Sequence, residues 1–165
     1  VSLFALQFAK AAGAWVCVTS SSDEKLERVK LLGADATINY RTRSDWHKEV
    51  MRLTEKRGVD HVVEVGGGDT LTQSLSAVRL GGNVHLIGVL SGITSNTPLT
   101  SIRMNHVRLQ AVFVGSRTMF EAMNQSISHH QLQPVVDKVF PLEEFSAAFS
   151  HLEQGGHFGK VVIKH

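Results

Sequence analysis

A run of hydroxyl side chains follows the first apolar strand of the sequence. The segment AWVCV leads into TSSS at positions 19–22, and DEK follows at 23–25. No carboxylate stands at the strand end itself, and serine hydroxyls there can donate hydrogen bonds to a phosphate, which an acid would repel. The stretch 21–24 also has the pattern of a helix-capping box. Both interpretations stay open, because a helix cap and a phosphate site use the same exposed N–H groups.

Glycines that end apolar runs form the second group of residues with a chemical use. Gly66, Gly88 and Gly115 each lie at the end of such a run. A glycine at the end of a buried strand lets a neighbouring backbone or a ligand approach closely, because it has no side chain. Gly88 and Gly115 are the stronger candidates for such contacts. For the apolar residues beside them, core packing is the simpler explanation.

Hydrophobic periodicity predicts the elements that must position these groups, with strands and helices in alternation. The predicted strands are 15–18, 36–39, 59–65, 83–89, 108–114, 135–140 and 161–164, and the predicted helices are 1–12, 25–32, 45–54, 69–78, 118–129 and 142–152. Most of the strands are continuous apolar runs, as expected when helices cover both faces of a parallel sheet. This order predicts a doubly wound α/β fold, with a boundary near Gln131, where the pattern loosens.

Composition argues against several functional classes. The 165 residues carry a net charge of +2, and the basic residues are spread out, so no basic face for nucleic acid is indicated. No apolar run approaches the roughly 20 residues of a membrane span, and a cytoplasmic protein is expected. Cys17 lies in an apolar run and is predicted to be a core residue. The nine histidines lack the spacing of a closed zinc site.

The order of the turns resembles one known family. The segments LGADATINYR, VDHVVEVGGGDTL, GGNVHLIGV, LQAVFVGSR and GGHFGKVVI follow one another as in the cofactor domain of the medium-chain dehydrogenase/reductase family. That family includes zinc alcohol dehydrogenases and quinone oxidoreductases. The resemblance covers essentially the whole chain and implies a Rossmann-type doubly wound parallel sheet. It assigns 1–130 to dinucleotide binding and 131–165 to a segment returning toward a catalytic domain.

The resemblance also places Val1 just after the family's glycine-rich fingerprint. In the family that fingerprint lies immediately before a helix like SLFALQFAKAAGA, and the strand before it is the central one of the sheet. We therefore expect a sheet that lacks its first, central strand, in a piece of a longer chain or with the gap filled by a partner. Zinc is expected only in the preceding part, and catalysis by this segment alone is not expected.

Four residues carry the expected choice of cofactor, which is NADP(H) in preference to NAD(H). A dinucleotide fold selects NAD with an acid after the second strand, and Ser20 and Ser21 stand there instead. In NADP-dependent proteins similar to this one, a lysine and a tyrosine at the spacing of Lys25 and Tyr40 flank the phosphate. The acids at positions 23 and 24 count against a phosphate unless they point away.

The resemblance implies further contacts to the nicotinamide side of the cofactor. The residues concerned are Val65, Gly66, Ile87, Gly88, Val89, Val112, Phe113 and Val114. Lys160 matches a family position that reaches toward the cofactor phosphates, with a surface lysine as the alternative, and Arg117 is a weaker candidate for the same role. Glu64, inside an apolar strand, is expected to be a partnered structural acid rather than a base.

Together these features favour the cofactor-binding part of an oxidoreductase. The reaction implied is hydride transfer between nicotinamide and a small alcohol or carbonyl, or a quinone or enone. A non-catalytic dinucleotide-binding or interaction module is the alternative from another class. The segment VVEVGGGD also resembles the first motif of Rossmann-like methyltransferases, although the next strand ends without the acid that would hold a ribose. A homodimer through the strand Arg108–Val114 is implied as well.

Overall fold

The computed structural model describes all residues, 1–165, and they form two compact units. The first unit is Val1–Ser116 and the second is Arg117–His165. The boundary between these compact units lies after Ser116, so the helix at Arg117–His129 belongs to the second unit, while the functional division near Gln131 stays a prediction. None of the helices is both long enough and apolar enough to cross a lipid bilayer.

Helices and strands alternate along the first unit, as the periodicity predicts. In chain order they are α1 (Ser2–Ala11), β1 (Cys17–Ser20), α2 (Asp23–Leu31), β2 (Ala36–Asn39), α3 (Trp46–Leu53), β3 (Val59–Glu64), α4 (Leu71–Ala77), β4 (Val78–Leu86), α5 (Leu99–Met104) and β5 (Arg108–Ala111). The second unit contains α6 (Arg117–His129), β6 (Val136–Pro141), a 3-10 turn (Leu142–Glu144), α7 (Phe145–Glu153) and β7 (Lys160–Lys164).

Every strand pair in the structure is parallel. In the first unit β1 pairs with β2, and β4 lies between β3 and β5. In the second unit β6 pairs with β7. No hydrogen-bonded ladder joins β1 to β3, so the sheet of the first unit is interrupted between them. This interruption agrees with the expectation of a parallel sheet without its central strand.

Several strand boundaries differ from the periodicity, and those of β1, β4 and β5 matter for the loops that follow the strands. The first strand begins at Cys17 and not at Trp15, and β5 ends at Ala111. β4 already begins at Val78, where helix 69–78 was expected to continue, because Val78 pairs with Val59 at the start of β3. The ladder between β3 and β4 then shifts register and continues beyond Gly82 to Leu86. As a result, residues 87–89 and 112–114 lie in loops after the strands and not within them.

Two apolar clusters hold the elements of the first unit together. One joins α4 to β4 through Leu75 and Val84, both fully buried. The other joins α3 and β2 through Val50 and Ile38, with Cys17 of β1 packed against it. The cysteine that was predicted to lie in the core is therefore half-buried and packs against the edge of this cluster. Burial, with a smaller contribution from the negative charge of Glu49, raises the pKa of the Cys17 thiol to about 12.

Candidate functional site

A cleft of about 210 Å³ lies where β3 and β4 end and α1 begins. Its walls are formed by Val1, Ser2, Val65, Ile87, Gly88 and Leu90. Loops beyond the carboxyl ends of parallel strands are the usual place for a ligand in a doubly wound fold. Three residues predicted from the sequence, Val65, Ile87 and Gly88, therefore meet in one cleft, whereas Leu90 and the start of α1 were not predicted.

Main-chain hydrogen bonds join the two strand-end walls of this cleft. The Glu64 carbonyl accepts from the N–H groups of Ile87, at 2.8 Å, and Gly88, at 3.2 Å. The carbonyl of Val65 accepts from the N–H of Leu90 at 3.2 Å. These bonds continue the parallel pairing of β3 and β4 past the ends of both strands. These main-chain hydrogen bonds therefore hold the backbone that carries the apolar residues of the cleft.

Gly88 is required by the close approach of its neighbour across the cleft wall. A β-carbon at position 88 would lie 2.5 Å from the carbonyl oxygen of Val65 and 3.1 Å from its α-carbon. Such contacts are far inside van der Waals distance, so any side chain would push the two walls apart. The sequence suggested that this glycine makes room for a ligand. In the structure its missing side chain makes room for Val65.

The Glu64 side chain is buried, with 4% of its surface exposed, and both carboxylate oxygens are hydrogen-bonded. Its Oε1 accepts from the N–H groups of Gly66, at 2.7 Å, and Gly67, at 3.0 Å, and from the Thr70 hydroxyl at 2.7 Å. Its Oε2 accepts from the Ser74 hydroxyl. The prediction of a partnered structural acid is confirmed, since every one of these donors comes from the turn and helix that follow.

The glycine turn at 66–68 is also fastened to the loop after β4. Gly68 donates to the Gly92 carbonyl at 2.9 Å, and the N–H of Ser91 donates to the Gly66 carbonyl at 2.7 Å. A β-carbon at Gly67 would lie 2.8 Å from the Gly92 carbonyl oxygen. The N–H groups of this turn thus bind protein acceptors, which argues against the methyltransferase-like alternative, where a glycine turn faces the ligand.

A second group of predicted residues meets at the carboxyl ends of β1 and β2. Ser20 is paired with Asn39 across the two strands, and the Tyr40 N–H donates to the Ser20 carbonyl at 3.1 Å. Ser22 caps α2, because its hydroxyl oxygen accepts from the N–H of Lys25 at 3.3 Å. The structure therefore brings the main chains of Ser20, Ser21, Lys25 and Tyr40 to one sheet edge, and Tyr40 is 39% exposed.

A carboxylate lies at this same edge. The side-chain amide of Asn39 donates to Asp23 Oδ1 at 2.7 Å, so the Asp23 carboxylate is held against the end of β2. The sequence left open whether this acid points away from the strand ends. It does not, and its negative charge opposes a phosphate placed beside Ser20 and Lys25.

Other predicted residues are not part of the strand-end cleft. Val89 follows the cleft residues but does not line it. The N–H of Val112 donates to the Leu86 carbonyl at 2.9 Å and so extends the pairing of β5, whereas Phe113 and Val114 are 97% and 77% exposed. Lys160 begins β7 in the second unit. Arg117, in the same unit, forms an ion pair with Glu121 at 2.7 Å.

Two of the histidines form a pair on neighbouring strands. His61 Nδ1 of β3 and His85 Nε2 of β4 are 3.0 Å apart, with ring centroids 5.3 Å apart and planes inclined by 16°. This is the geometry of an N–H···N hydrogen bond between nearly coplanar rings. No group of three or more His, Cys, Asp or Glu side chains in residues 1–165 is placed to hold a metal ion.

Comparison with known proteins gives consistent matches. A sequence model of a family described as zinc-binding dehydrogenase matches residues 1–129. A zinc-type alcohol dehydrogenase-like protein of Schizosaccharomyces pombe is 44% identical, over 99% of this chain and 49% of its own length. Quinone oxidoreductase-like protein 2 of Bos taurus is 28% identical, over 90% of this chain and 45% of its own length.

Solved structures match the same stretch of fold. The crystal structure of an NAD-dependent alcohol dehydrogenase superposes with a TM-score of 0.92 at 36% identity, covering 100% of this chain and 48% of the other. The chain thus spans about half the length of the curated relatives and of this structure.

Proposed function

Because the chain belongs to the zinc-binding dehydrogenase family, we propose that the strand-end cleft of its first unit holds the nicotinamide ring of NADP(H) for hydride transfer. The family recognised from the order of turns is thereby confirmed, and so is the parallel α/β fold of Rossmann type. The observation that carries the proposal is the meeting of Val65, Ile87 and Gly88 in one cleft at the ends of two parallel strands.

The residues of the cleft fit a flat, weakly polar ring. Val65, Ile87 and Leu90 offer apolar side chains, and Gly88 keeps the backbone bare at the point where the walls meet. A bound nicotinamide supplies the hydride chemistry. The part of this chain is to bind the ring, to orient it by a rigid backbone and to keep water from one of its faces.

The adenosine end of the cofactor is assigned to the edge formed by β1 and β2. Ser20 and Ser21 offer hydroxyl donors, Lys25 offers a positive charge one turn into α2, and Tyr40 offers an exposed ring beside them. A 2′-phosphate uses donors and positive charge of this kind. These four residues support NADP(H) over NAD(H).

NAD(H) is the second candidate, and two observations favour it. The Asp23 carboxylate is held at the same sheet edge by Asn39, where it disfavours a phosphate and is placed to accept from a ribose hydroxyl. The solved alcohol dehydrogenase that is 36% identical to this chain is described as NAD-dependent. The choice between the two cofactors is therefore the first matter for experiment.

The substrate class proposed for the whole protein is a small alcohol or carbonyl, or a quinone or enone. The names of the relatives include both zinc-type alcohol dehydrogenase-like and quinone oxidoreductase-like proteins. Residues 1–165 do not form a zinc site, so no step of the proposed hydride transfer is assigned to zinc on this chain.

A homodimer through β5 is proposed for the same protein. β5 is an edge strand of its sheet, and all four of its residues are exposed. The loop after it continues with the exposed side chains of Phe113 and Val114. A strand edge without a neighbour, followed by exposed apolar side chains, is suited to pairing with a second copy across a two-fold axis.

Titration of NADPH and NADH by protein fluorescence tests the cofactor assignment. We expect NADPH to bind about tenfold more tightly than NADH, a difference of about 1.4 kcal/mol. Lys25→Ala should remove most of that preference. Lys30→Ala is the matched control, because Lys30 lies on the same helix and pairs with Glu27. Equal affinities in the unsubstituted protein would refute the NADP(H) assignment.

A further inference from the structure

Glu64 is hydrogen-bonded on both sides of the cleft, through its side chain on one side and through its main-chain carbonyl on the other. Its side chain binds the turn that follows Val65, through the N–H groups of Gly66 and Gly67. Its main-chain carbonyl binds the opposite wall, through the N–H groups of Ile87 and Gly88. The residue itself does not line the cleft and is 4% exposed.

A buried carboxylate is stable only when donors replace the water that it has lost. Four donors do so for Glu64: two main-chain N–H groups and the hydroxyls of Thr70 and Ser74. Hydrogen bonds to an ionised acceptor are shorter and stronger than neutral ones. The turn is therefore held more rigidly than glycine residues alone would allow.

The donors to the Glu64 carboxylate come from two neighbouring parts of the chain, the glycine turn and helix α4 with the residue before it. Gly66 and Gly67 belong to the turn, whereas Ser74 lies inside α4 and is 1% exposed. Thr70, the residue before the first turn of α4, gives its hydroxyl to Glu64 and makes no side-chain cap to the helix. The carboxylate thus ties the cleft wall to a helix that is itself anchored in the core through Leu75.

We propose that Glu64 is a positioning residue for the nicotinamide end of the cofactor: it fixes the spacing of the Val65 and Ile87–Gly88 walls without touching the ligand. The part that concerns the cofactor rests on the function proposed above. The part that concerns the walls stands on the hydrogen bonds alone. Loss of the carboxylate charge makes the two walls of the strand-end cleft less rigid. It does not change the edge formed by β1 and β2, where the adenosine end of the cofactor is proposed to bind.

The first experiment reads the walls directly by amide NMR spectroscopy of the protein without cofactor. Glu64→Gln keeps the shape of the side chain but removes its charge, so the amide protons of Gly66 and Gly67 should move upfield, and those of Ile87 and Gly88 should change with them. Ser74→Ala should produce a smaller change of the same pattern. Ser76→Ala is the matched control, because this hydroxyl binds the Thr72 carbonyl within α4. Unchanged Ile87 and Gly88 amides in Glu64→Gln would overturn the proposal.

The second experiment compares a complete cofactor with a fragment that lacks nicotinamide. We expect Glu64→Gln to weaken the binding of NADPH about fivefold and the binding of 2′-phospho-ADP-ribose less than about twofold. The reason is that only the nicotinamide ring is proposed to occupy the strand-end cleft. Equal weakening of both ligands would show a merely structural role and overturn the proposal. If the unsubstituted protein binds neither NADPH nor NADH, the proposed function fails, while the amide shifts still decide whether Glu64 joins the two walls.

Should Glu64→Gln fail to fold, Thr70→Val provides the same readout. This variant removes one donor to the carboxylate and preserves its charge and the size of the replaced side chain. A selective loss of NADPH relative to the fragment supports the proposal. An unaltered ratio of the two affinities contradicts it.

Discussion

The backbone at Gly88 lies so close to Val65 that a β-carbon at position 88 would sit 2.5 Å from the Val65 carbonyl oxygen. Gly88→Ala should therefore lower the free energy of unfolding by about 1–3 kcal/mol, as expected for overpacking, and weaken the cofactor at the same time. Urea denaturation measures the first effect. Gly156→Ala is the control, because a β-carbon there meets nothing within 4 Å. A fully stable Gly88→Ala protein would contradict this description of the cleft wall.

Replacement of Asp23 by asparagine distinguishes the two cofactor candidates. The side-chain carbonyl of the introduced amide can still accept from Asn39, but the negative charge at the β1–β2 edge is gone. If NADP(H) binds there, Asp23→Asn should strengthen the binding of NADPH about two- to fivefold at low salt. The effect should be smaller at high salt, because salt screens the repulsion between the Asp23 carboxylate and the 2′-phosphate. If NADH is weakened instead, the carboxylate binds the ribose. Glu27→Gln is the control for the loss of a negative charge elsewhere on the same helix, because Glu27 forms an ion pair with Lys30.

Cys17 should be unreactive in the folded protein. With its pKa raised to about 12 by burial, the thiol is almost entirely un-ionised at pH 8. A disulfide reagent such as Ellman's should therefore label the thiol at least about 100-fold more slowly in buffer than in urea. Fast labelling in buffer would mean that Cys17 is not packed against the cluster of Val50 and Ile38.

The same shift in pKa gives a direction for stability at alkaline pH. The folded state keeps the Cys17 thiol neutral, whereas the unfolded chain ionises it from about pH 9 upward. The contribution of this group is thus fully present below pH 9 and is lost as the pH rises toward 12. Cys17→Ser should show a flatter decline in its urea midpoint between pH 8 and pH 10 than the unsubstituted protein.

The proposed dimer through β5 can be tested at an exposed side chain that does not pack against the rest of the first unit. Phe113 is 97% exposed, so Phe113→Lys should leave folding intact and place like charges on both sides of a two-fold axis. Sedimentation should then show a monomer for Phe113→Lys and, if the proposed dimer forms, a dimer for the unsubstituted protein. Phe149→Lys, a change of the same kind on α7, is the control. A monomeric unsubstituted protein at high concentration would count against the dimer.

Helices and strands whose two ends are marked by residues typical of helix or strand ends are predicted well from the sequence. The predicted bounds of strand β2 are the observed ones, and α3 lies between Asp45 and Thr54 as its periodicity indicates. The predicted start of β4 is wrong, because two adjacent glycines look like a break. In the structure, Gly82 lies inside the strand, where a β-carbon would strike the Val78 side chain at 2.5 Å.

The site is predictable only in part, for a similar reason. Val65, Ile87 and Gly88 follow from the family resemblance, and the structure brings them together. Leu90 enters the cleft through a loop contact that leaves no periodic signal. The donors to Glu64 come from the next ten residues of the chain, but only the fold shows that they converge on one carboxylate.

The carboxylate in the glycine turn has a further consequence for how the turn responds to its surroundings. Turns rich in glycine N–H groups attract soluble anions, and their occupancy follows the concentration of those anions. In this protein the acceptor is covalently part of the chain, two residues before Gly66, so its effective concentration is fixed by the sequence. Free phosphate and other soluble anions must therefore compete with a buried acceptor that is never diluted, and we expect the turn to keep its shape over a wide range of anion concentrations.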